Sequence, residues 1–303
     1  MLYLIVIFGI TALFFLFLFI LYYTAFHNSP ARQRHHKNSL SIDEKYIPVI
    51  NKLKSDLRAA AFEEKRINSR DGKSLYARYY HNRDGVPVVI ILHGYRSRGI
   101  SDCGGGYRIF SELGYNILIP DHRAHGKSGS RTITFGIKER YDCLDWIEYL
   151  NREYACPDIF IVGVSMGGAT ALMTAGHNLP ENVKGVISDC AYSSPEAIIR
   201  KVIGDMKLPH RILFPFVRLA GRIYGDFDVC SYDALKAVRE AKIPVLLIHG
   251  EGDDFVPYAM AEELSAAGGC KLLSVREATH GMSYVYNAEN YTKITTEFIK
   301  KCL

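Results

Sequence analysis

Ile159-Phe160-Ile161-Val162-Gly163-Val164-Ser165-Met166-Gly167-Gly168-Ala169-Thr170-Ala171-Leu172 begins as an apolar, β-branched run, breaks at a glycine-flanked serine, and continues in small residues. The run has the length and composition of a buried strand, and the small residues open a helix. The pattern predicts a strand, a sharp turn carrying Ser165, and a helix. Its glycines have a steric reason: a side chain at 163 or 167 would collide with the neighbouring strand or helix. The hydroxyl then stands clear of the sheet. The N–H of Met166, at the helix start, points at whatever oxyanion forms there.

G-x-S-x-G also arises by chance, so its weight depends on what surrounds it. Downstream, Pro244-Val245-Leu246-Leu247-Ile248 reads as a short buried strand and runs into His249-Gly250-Glu251-Gly252-Asp253-Asp254-Phe255-Val256-Pro257. An acid just past a strand end lies at the carboxyl edge of a parallel sheet, where active sites of open α/β sheets form. Leu272-Leu273-Ser274-Val275 is a further strand, and Arg276-Glu277-Ala278-Thr279-His280-Gly281 puts His280 on the loop beyond it. Serine, acid, histidine is the chain order of a serine hydrolase on such a sheet. The spacing does not separate the adjacent acids Asp253 and Asp254.

With these pieces in place the chain resembles the α/β-hydrolase superfamily, and within it the group labelled serine aminopeptidase-like hydrolases, some of which carry an N-terminal membrane anchor. The matching motifs are His93-Gly94-Tyr95, Asp121-His122-Arg123-Ala124-His125-Gly126-Lys127-Ser128, the Ser165 turn, His249 to Pro257, and Thr279-His280-Gly281. They span about residues 60 to 303. Family members often have glycine where Ala124 stands. The resemblance implies Ser165 as nucleophile, His280 as general base and then acid, and Asp253, four residues after His249, as the acid that orients the imidazole. It implies an oxyanion hole from the N–H groups of Tyr95 and Met166. His93, His249, His122 and His125 read as structural histidines, Asp121 and Arg123 as turn and packing residues, and Asp189 as a loop cap.

Composition fits this class. The chain has 303 residues, 48% of them hydrophobic, and a net charge of +5. Strand and helix patterns alternate, which predicts an α/β fold with a mostly parallel, doubly wound sheet. No arginine-rich arm or aromatic-basic motif points to nucleic acid. Seven scattered cysteines without a C-x-x-C pair read as reduced thiols. No metal or organic cofactor is implied. His35-His36 reads as solvated residues in a basic linker.

Met1 to Phe26 contains no charged side chain. As a helix it would reach roughly 39 Å, enough to cross a bilayer with some tilt. A cleaved signal peptide would have a basic start, a shorter core and small residues at the cleavage site. The stretch has none of these, and Tyr22-Tyr23 reads as an interfacial belt. It is expected to be a retained single-span anchor, 1–26. A linker with a juxtamembrane helix follows over 27–60, then a catalytic domain over 61–303. Arg32, Arg34 and Lys37 follow the span and no basic residue precedes it, which favours a cytoplasmic catalytic domain. An extracellular domain is the alternative.

A helix is expected over about Glu44 to Ala60, a hairpin turn at Ser69-Arg70-Asp71-Gly72, and a helix over about Ile137 to Tyr154 with an apolar stripe of Tyr141, Leu144, Ile147 and Leu150. Trp146 reads as packing. Gly104-Gly105-Gly106 lacks the partners of a phosphate loop and reads as a flexible entrance to the helix that ends near Gly114. About 193–240 is expected to be a small helical cap, with apolar residues such as Leu213-Phe214-Pro215-Phe216-Val217 beside Lys201, Lys207, Arg211, Arg218 and Arg222. The expected activity is cleavage of carboxylic esters or thioesters, on a small-molecule or lipid-like acyl substrate. Peptide hydrolysis with the same triad is one alternative. A retired, membrane-tethered binding protein is the other.

Overall fold

In the computed structural model, which describes residues 1–29, 43–155 and 157–303, a hairpin of β1 (Glu63–Asn68) and β2 (Ser74–Tyr80) opens the sheet around the predicted turn. Strands β3 (Val88–Leu92), β4 (Asn116–Asp121), β5 (Ile159–Val164), β6 (Val183–Asp189), β7 (Val245–Gly250) and β8 (Lys271–Val275) follow. The eight strands form one sheet in the order β1-β2-β4-β3-β5-β6-β7-β8. Strands β3 to β8 are mutually parallel, and β1 and β2 are antiparallel additions at one edge. The Val/Ile/Leu runs of β3 and β7 are buried along their whole length, as strands covered on both faces must be.

Helices cover both faces. In chain order they are α1 (Leu2–Ala25), α2 (Ile47–Ala59), α3 (Gly99–Asp102), α4 (Gly104–Glu112), α5 (Glu139–Glu153), α6 (Met166–Ala175), α7 (Pro195–Asp205), α8 (His210–Gly225), α9 (Ala234–Glu240), α10 (Tyr258–Gly268), α11 (Ser283–Tyr286) and α12 (Ala288–Cys302). Leu57 of α2, Ile109 and Phe110 of α4 and Tyr291 and Ile299 of α12 pack on one face. Trp146 and Ile147 of α5, α6, and residues of α7 to α10 pack on the other. Of the predicted stripe on α5, Ile147 and Leu150 are buried and Tyr141 and Leu144 only half-buried; Asp142, Cys143 and Trp146 are buried in their place. The three helices α7, α8 and α9 fill the chain between β6 and β7.

The glycine triplet is corrected by the structure. Gly104–Gly106 are the first turn of α4, and each faces another element. A Cβ at Gly105 would stand 2.7 Å from the ring of Tyr284, one at Gly104 3.0 Å from Leu53, and one at Gly106 3.3 Å from Ile91. They allow close packing; they do not loosen the entrance. Ala124, where relatives of this kind often have glycine, holds a left-handed backbone at φ 63°. That conformation explains the glycine preference.

The apolar N-terminal stretch is a 24-residue helix, the single one among the described residues long and apolar enough to cross a membrane, a test that a signal sequence also passes. Most of α1 is exposed, but its C-terminal end is built into the core. Leu18, Tyr22 and Phe26 are buried. The Tyr22 hydroxyl bonds Thr132 Oγ1 at 2.7 Å, Asn28 Nδ2 donates to Ala124 O at 2.8 Å, and Ile133 N–H donates to Phe26 O at 2.8 Å. The basic residues used to orient the span, Arg32, Arg34 and Lys37, and the His35-His36 pair lie outside the described residues, as does Cys156. The other six cysteines are free.

Candidate active site

Strand register assembles the site. β5 lies between β3 and β6, with Leu92 beside Gly163 and Asp189 beside Val164, so the chain leaving each strand meets at one rim. Ser165 sits between β5 and α6 at φ 56° and ψ −118°. That strained backbone is held by its N–H, which donates to Asp189 O at 2.8 Å. The turn is as tight as its glycines imply. A Cβ on Gly163 would lie 2.1 Å from the carbonyl oxygen of Gly167, and one on Gly167 2.2 Å from that of Leu92.

β7 and β8 supply the partners. The loop after β7 carries Asp253 and the loop after β8 carries His280. These loops are stitched together by Glu251 N–H to Val275 O at 3.0 Å and Gly252 N–H to Ala278 O at 3.1 Å. His280 Nδ1 lies 2.7 Å from Asp253 Oδ2, and His280 Nε2 lies 2.9 Å from Ser165 Oγ. This network assigns the imidazole tautomer: Nδ1–H donates to the carboxylate and Nε2 accepts from the hydroxyl. Ser165 and Asp253 are almost fully buried. Asp254 is exposed, and its backbone carbonyl, not its carboxylate, holds Lys201. Of the two adjacent acids, Asp253 is the one hydrogen-bonded to His280.

Burial pushes the Asp253 carboxyl up, but hydrogen bonds from His249 and His280 outweigh it and bring the carboxyl down to about 2. Its other oxygen accepts the N–H groups of Phe255 at 3.0 Å and Val256 at 2.8 Å. The acid is a fixed anion, suited to orienting an imidazole and stabilising its charged form. His249, read from sequence as a strand-closing residue, does more than that. It lies 3.4 Å from Asp253 Oδ2 and bonds Val256 O at 2.9 Å, inside the acid loop. Asp189 caps a loop: Ser283 Oγ donates to it at 2.9 Å, just beyond His280.

The loop after β3 faces Ser165. A Cβ on Gly94 would touch Ser165 Cβ at 3.5 Å, so Tyr95 follows at the serine's edge. Met166 opens α6 on the other side. Two residues that sequence reasoning did not connect hold this loop. Asp102 accepts Gly94 N–H at 2.8 Å and Ser97 Oγ–H at 2.6 Å, and His125 Nε2 accepts Arg96 N–H at 2.9 Å. His93 joins the set, accepting His122 N–H at 3.1 Å through Nε2. Burial first, then His93 and His125, push the His122 imidazole well down, so it stays neutral. Arg123 is buried and ion-paired with Asp142 and Asp71, which ties the loop after β4 to α5 and to the β1–β2 turn.

The surroundings are aromatic. Phe255 meets His280 edge-on at 4.9 Å, and Tyr95, Phe135 and Phe26 form a connected series at 5.1 and 5.9 Å. Cys190, Asp253 and His280 are the one group of potential metal ligands among the described residues. Burial raises the Cys190 thiol well above its usual range, which disfavours the thiolate a metal needs.

Comparison with known proteins agrees with this architecture. Residues 87–211 match the family described as alpha/beta hydrolase fold, and residues 229–301 that described as TAP-like protein. The chain is 30% identical over 237 residues to the uncharacterized protein YqkD of Bacillus subtilis, covering 77% of each. It is 26% identical over 220 residues to a human monoglyceride lipase, covering 60% of this chain and 71% of the lipase. Among solved structures, an esterase of Pyrococcus furiosus superposes with a TM-score of 0.66 at 24% identity, over 82% of this chain and 95% of the esterase. At that identity the likeness shows the fold.

Proposed function

The chain belongs to the α/β-hydrolase family, and we propose that it is a membrane-anchored serine hydrolase that cleaves carboxylic esters through an acyl-enzyme on Ser165. The observation that carries this reading is the unbroken relay Ser165 Oγ, His280 Nε2, His280 Nδ1, Asp253 Oδ2, with links of 2.9 and 2.7 Å. Ser165 Oγ attacks the acyl carbonyl carbon as its proton passes to His280 Nε2. The carbonyl oxygen becomes an oxyanion, held by the N–H groups of Tyr95 and Met166. A donor of this kind contributes on the order of a hundredfold or more in rate. Asp253 stabilises the imidazolium. Collapse of the intermediate breaks the ester C–O bond, and the departing alkoxide takes the proton from Nε2. A water then gives a proton to His280, attacks the acyl carbon, and releases the acid as Ser165 recovers its proton.

The aromatic residues near the relay suit an acyl or aromatic group better than a peptide amine, and they favour esters over the aminopeptidase alternative. Among relatives, the human monoglyceride lipase and the P. furiosus esterase carry ester-cleaving names, in keeping with this choice. We read α7 to α9 as the cap. The burial of Leu18, Tyr22 and Phe26 supports a retained α1, since cleavage after the span would strip them from the core. The test is a panel of short nitrophenyl esters and amino-acid amides, with full-length protein and Ser165→Ala. Ester turnover that vanishes in the variant is expected. Ester turnover that survives it, or amide cleavage alone, would overturn the proposal.

A further inference from the structure

The exposed apolar surface of α1 does not stop where α8 joins it. The first ring of α1 to meet α8 is Phe14, against Phe216 at 6.3 Å. Beyond it Phe15, Leu16, Phe19 and Ile20 are still 43 to 53% exposed, with α8 running alongside. A span that buries this surface in lipid brings α8 to the membrane with it. The two helices run in the same general direction: Phe216 meets Phe14 and Phe17, and Tyr224 meets Phe19 and Tyr22. The start of α8 and the loop before it therefore reach deeper along α1 than Phe216 does.

We propose that this edge of the cap, Met206, Leu208 and Ile212, is immersed in the same leaflet as the C-terminal half of α1, so that the partner of this surface is the acyl region of a phospholipid bilayer. The inference rests on reading α1 as a retained membrane span. Ile212 is 63% exposed, Met206 60% and Leu208 43%, although each is a large apolar side chain. Single exposed apolar residues are ordinary, but Ile212 stands one helical turn before Phe216, on the side of α8 that meets α1, and an exposed apolar group beside an exposed apolar helix marks an interaction surface. Lys207 and Arg211 are exposed among them, placed to reach up to lipid phosphates while their stems stay in the apolar layer. From this edge α7 leads back toward the site. Its Lys201 ammonium lies 5.9 Å over the Phe255 ring that meets His280.

The test uses full-length protein in vesicles of phosphatidylcholine and phosphatidylglycerol, with part of the phosphatidylcholine brominated high on its acyl chains. Tryptophan is introduced one position at a time, Leu13→Trp in the free part of α1, Ile212→Trp at the cap edge and Glu289→Trp on α12, on the opposite face of the sheet. The native Trp146 is buried and provides a constant background. Quenching of Leu13→Trp and Ile212→Trp, with no loss for Glu289→Trp, is expected. Quenching of Leu13→Trp alone would overturn the immersed edge and leave the span intact. No quenching at Leu13 would overturn the span reading and the edge with it. Equal quenching at all three sites would also overturn the proposal, because contact would not be particular to the cap.

Discussion

A Cβ on Gly250 would stand 2.0 Å from the carbonyl oxygen of Ala278. These two positions end β7 and precede His280, so their contact sets the distance between the loop that carries the acid and the loop that carries the imidazole. Gly250→Ala forces two backbones apart. It is expected to cost about 1–3 kcal/mol, as overpacking of a close interior does. The relay between Asp253 and His280 should suffer further. A lowered Tm together with a fall in kcat on a short ester is the predicted pair, and a variant with wild-type kcat would show that loop spacing is not controlled here.

The two adjacent acids should behave very differently. Asp253→Asn keeps the shape but removes the anion that fixes the imidazole tautomer, and kcat should fall on the order of a thousandfold or more. Asp254→Asn changes an exposed side chain whose carboxylate bonds nothing in the relay, and kcat should stay close to wild type. Steady-state kinetics on one soluble ester decides between them. A large loss at 254 with none at 253 would reverse the assignment.

Asp189 gives a signature in the pH dependence of stability. Burial pushes its carboxyl up to about 6, against the hydrogen bond from Ser283. A raised carboxyl means that the folded state holds a proton the unfolded chain releases near pH 4, so stability present below about pH 4 is lost as pH rises to about 6. Two pKa units correspond to roughly 3 kcal/mol as an order of magnitude. Asp189→Asn can still accept from Ser283, and should flatten the stability curve between about pH 4 and 6. Asp253 acts with the opposite sign and lower down: its stabilisation is present above about pH 4 and is lost as pH falls toward about 2. Urea unfolding at a series of pH values separates the two windows.

Much of this site was legible in the chain itself. Gly163 and Gly167 flank a serine after a strand-length apolar run, and Asp253 and His280 follow later strand patterns in order. These are local signals, because strands and their C-terminal loops are written in short windows. What was not legible depends on contacts between distant segments. The triplet Gly104–Gly106 resembles a flexible stretch until Leu53, Tyr284 and Ile91 are seen packed against it. Asp102 and His125 hold the Tyr95 loop from elsewhere in the fold, and nothing in their immediate neighbours announces it. The helical period of α5 was recognisable. Which residues it buries was set by the sheet beneath, through Trp146 and Asp142 rather than Tyr141 and Leu144.

The N-terminus, too, is fixed by contacts with distant segments. A hydropathy pattern ends the span near Phe26 and suggests removing about the first 30 residues to obtain a soluble domain. Phe26 is fully buried, with its ring 5.1 Å from that of Phe227 and 5.9 Å from that of Phe135. Phe26→Ala should cost about 3–5 kcal/mol, as loss of a buried phenylalanine does. Thermal unfolding of the detergent-solubilised variant checks this. An unchanged Tm would show that the end of α1 is not part of the folded core.

The central claim is that Ser165 is a nucleophile activated by His280. The most direct measurement is intact-mass and peptide analysis of the folded full-length protein after a fluorophosphonate. One adduct is predicted, on Ser165, absent in Ser165→Ala and formed far more slowly in His280→Ala. A folded protein that stays unlabelled, or that carries the adduct on another residue, would contradict the account.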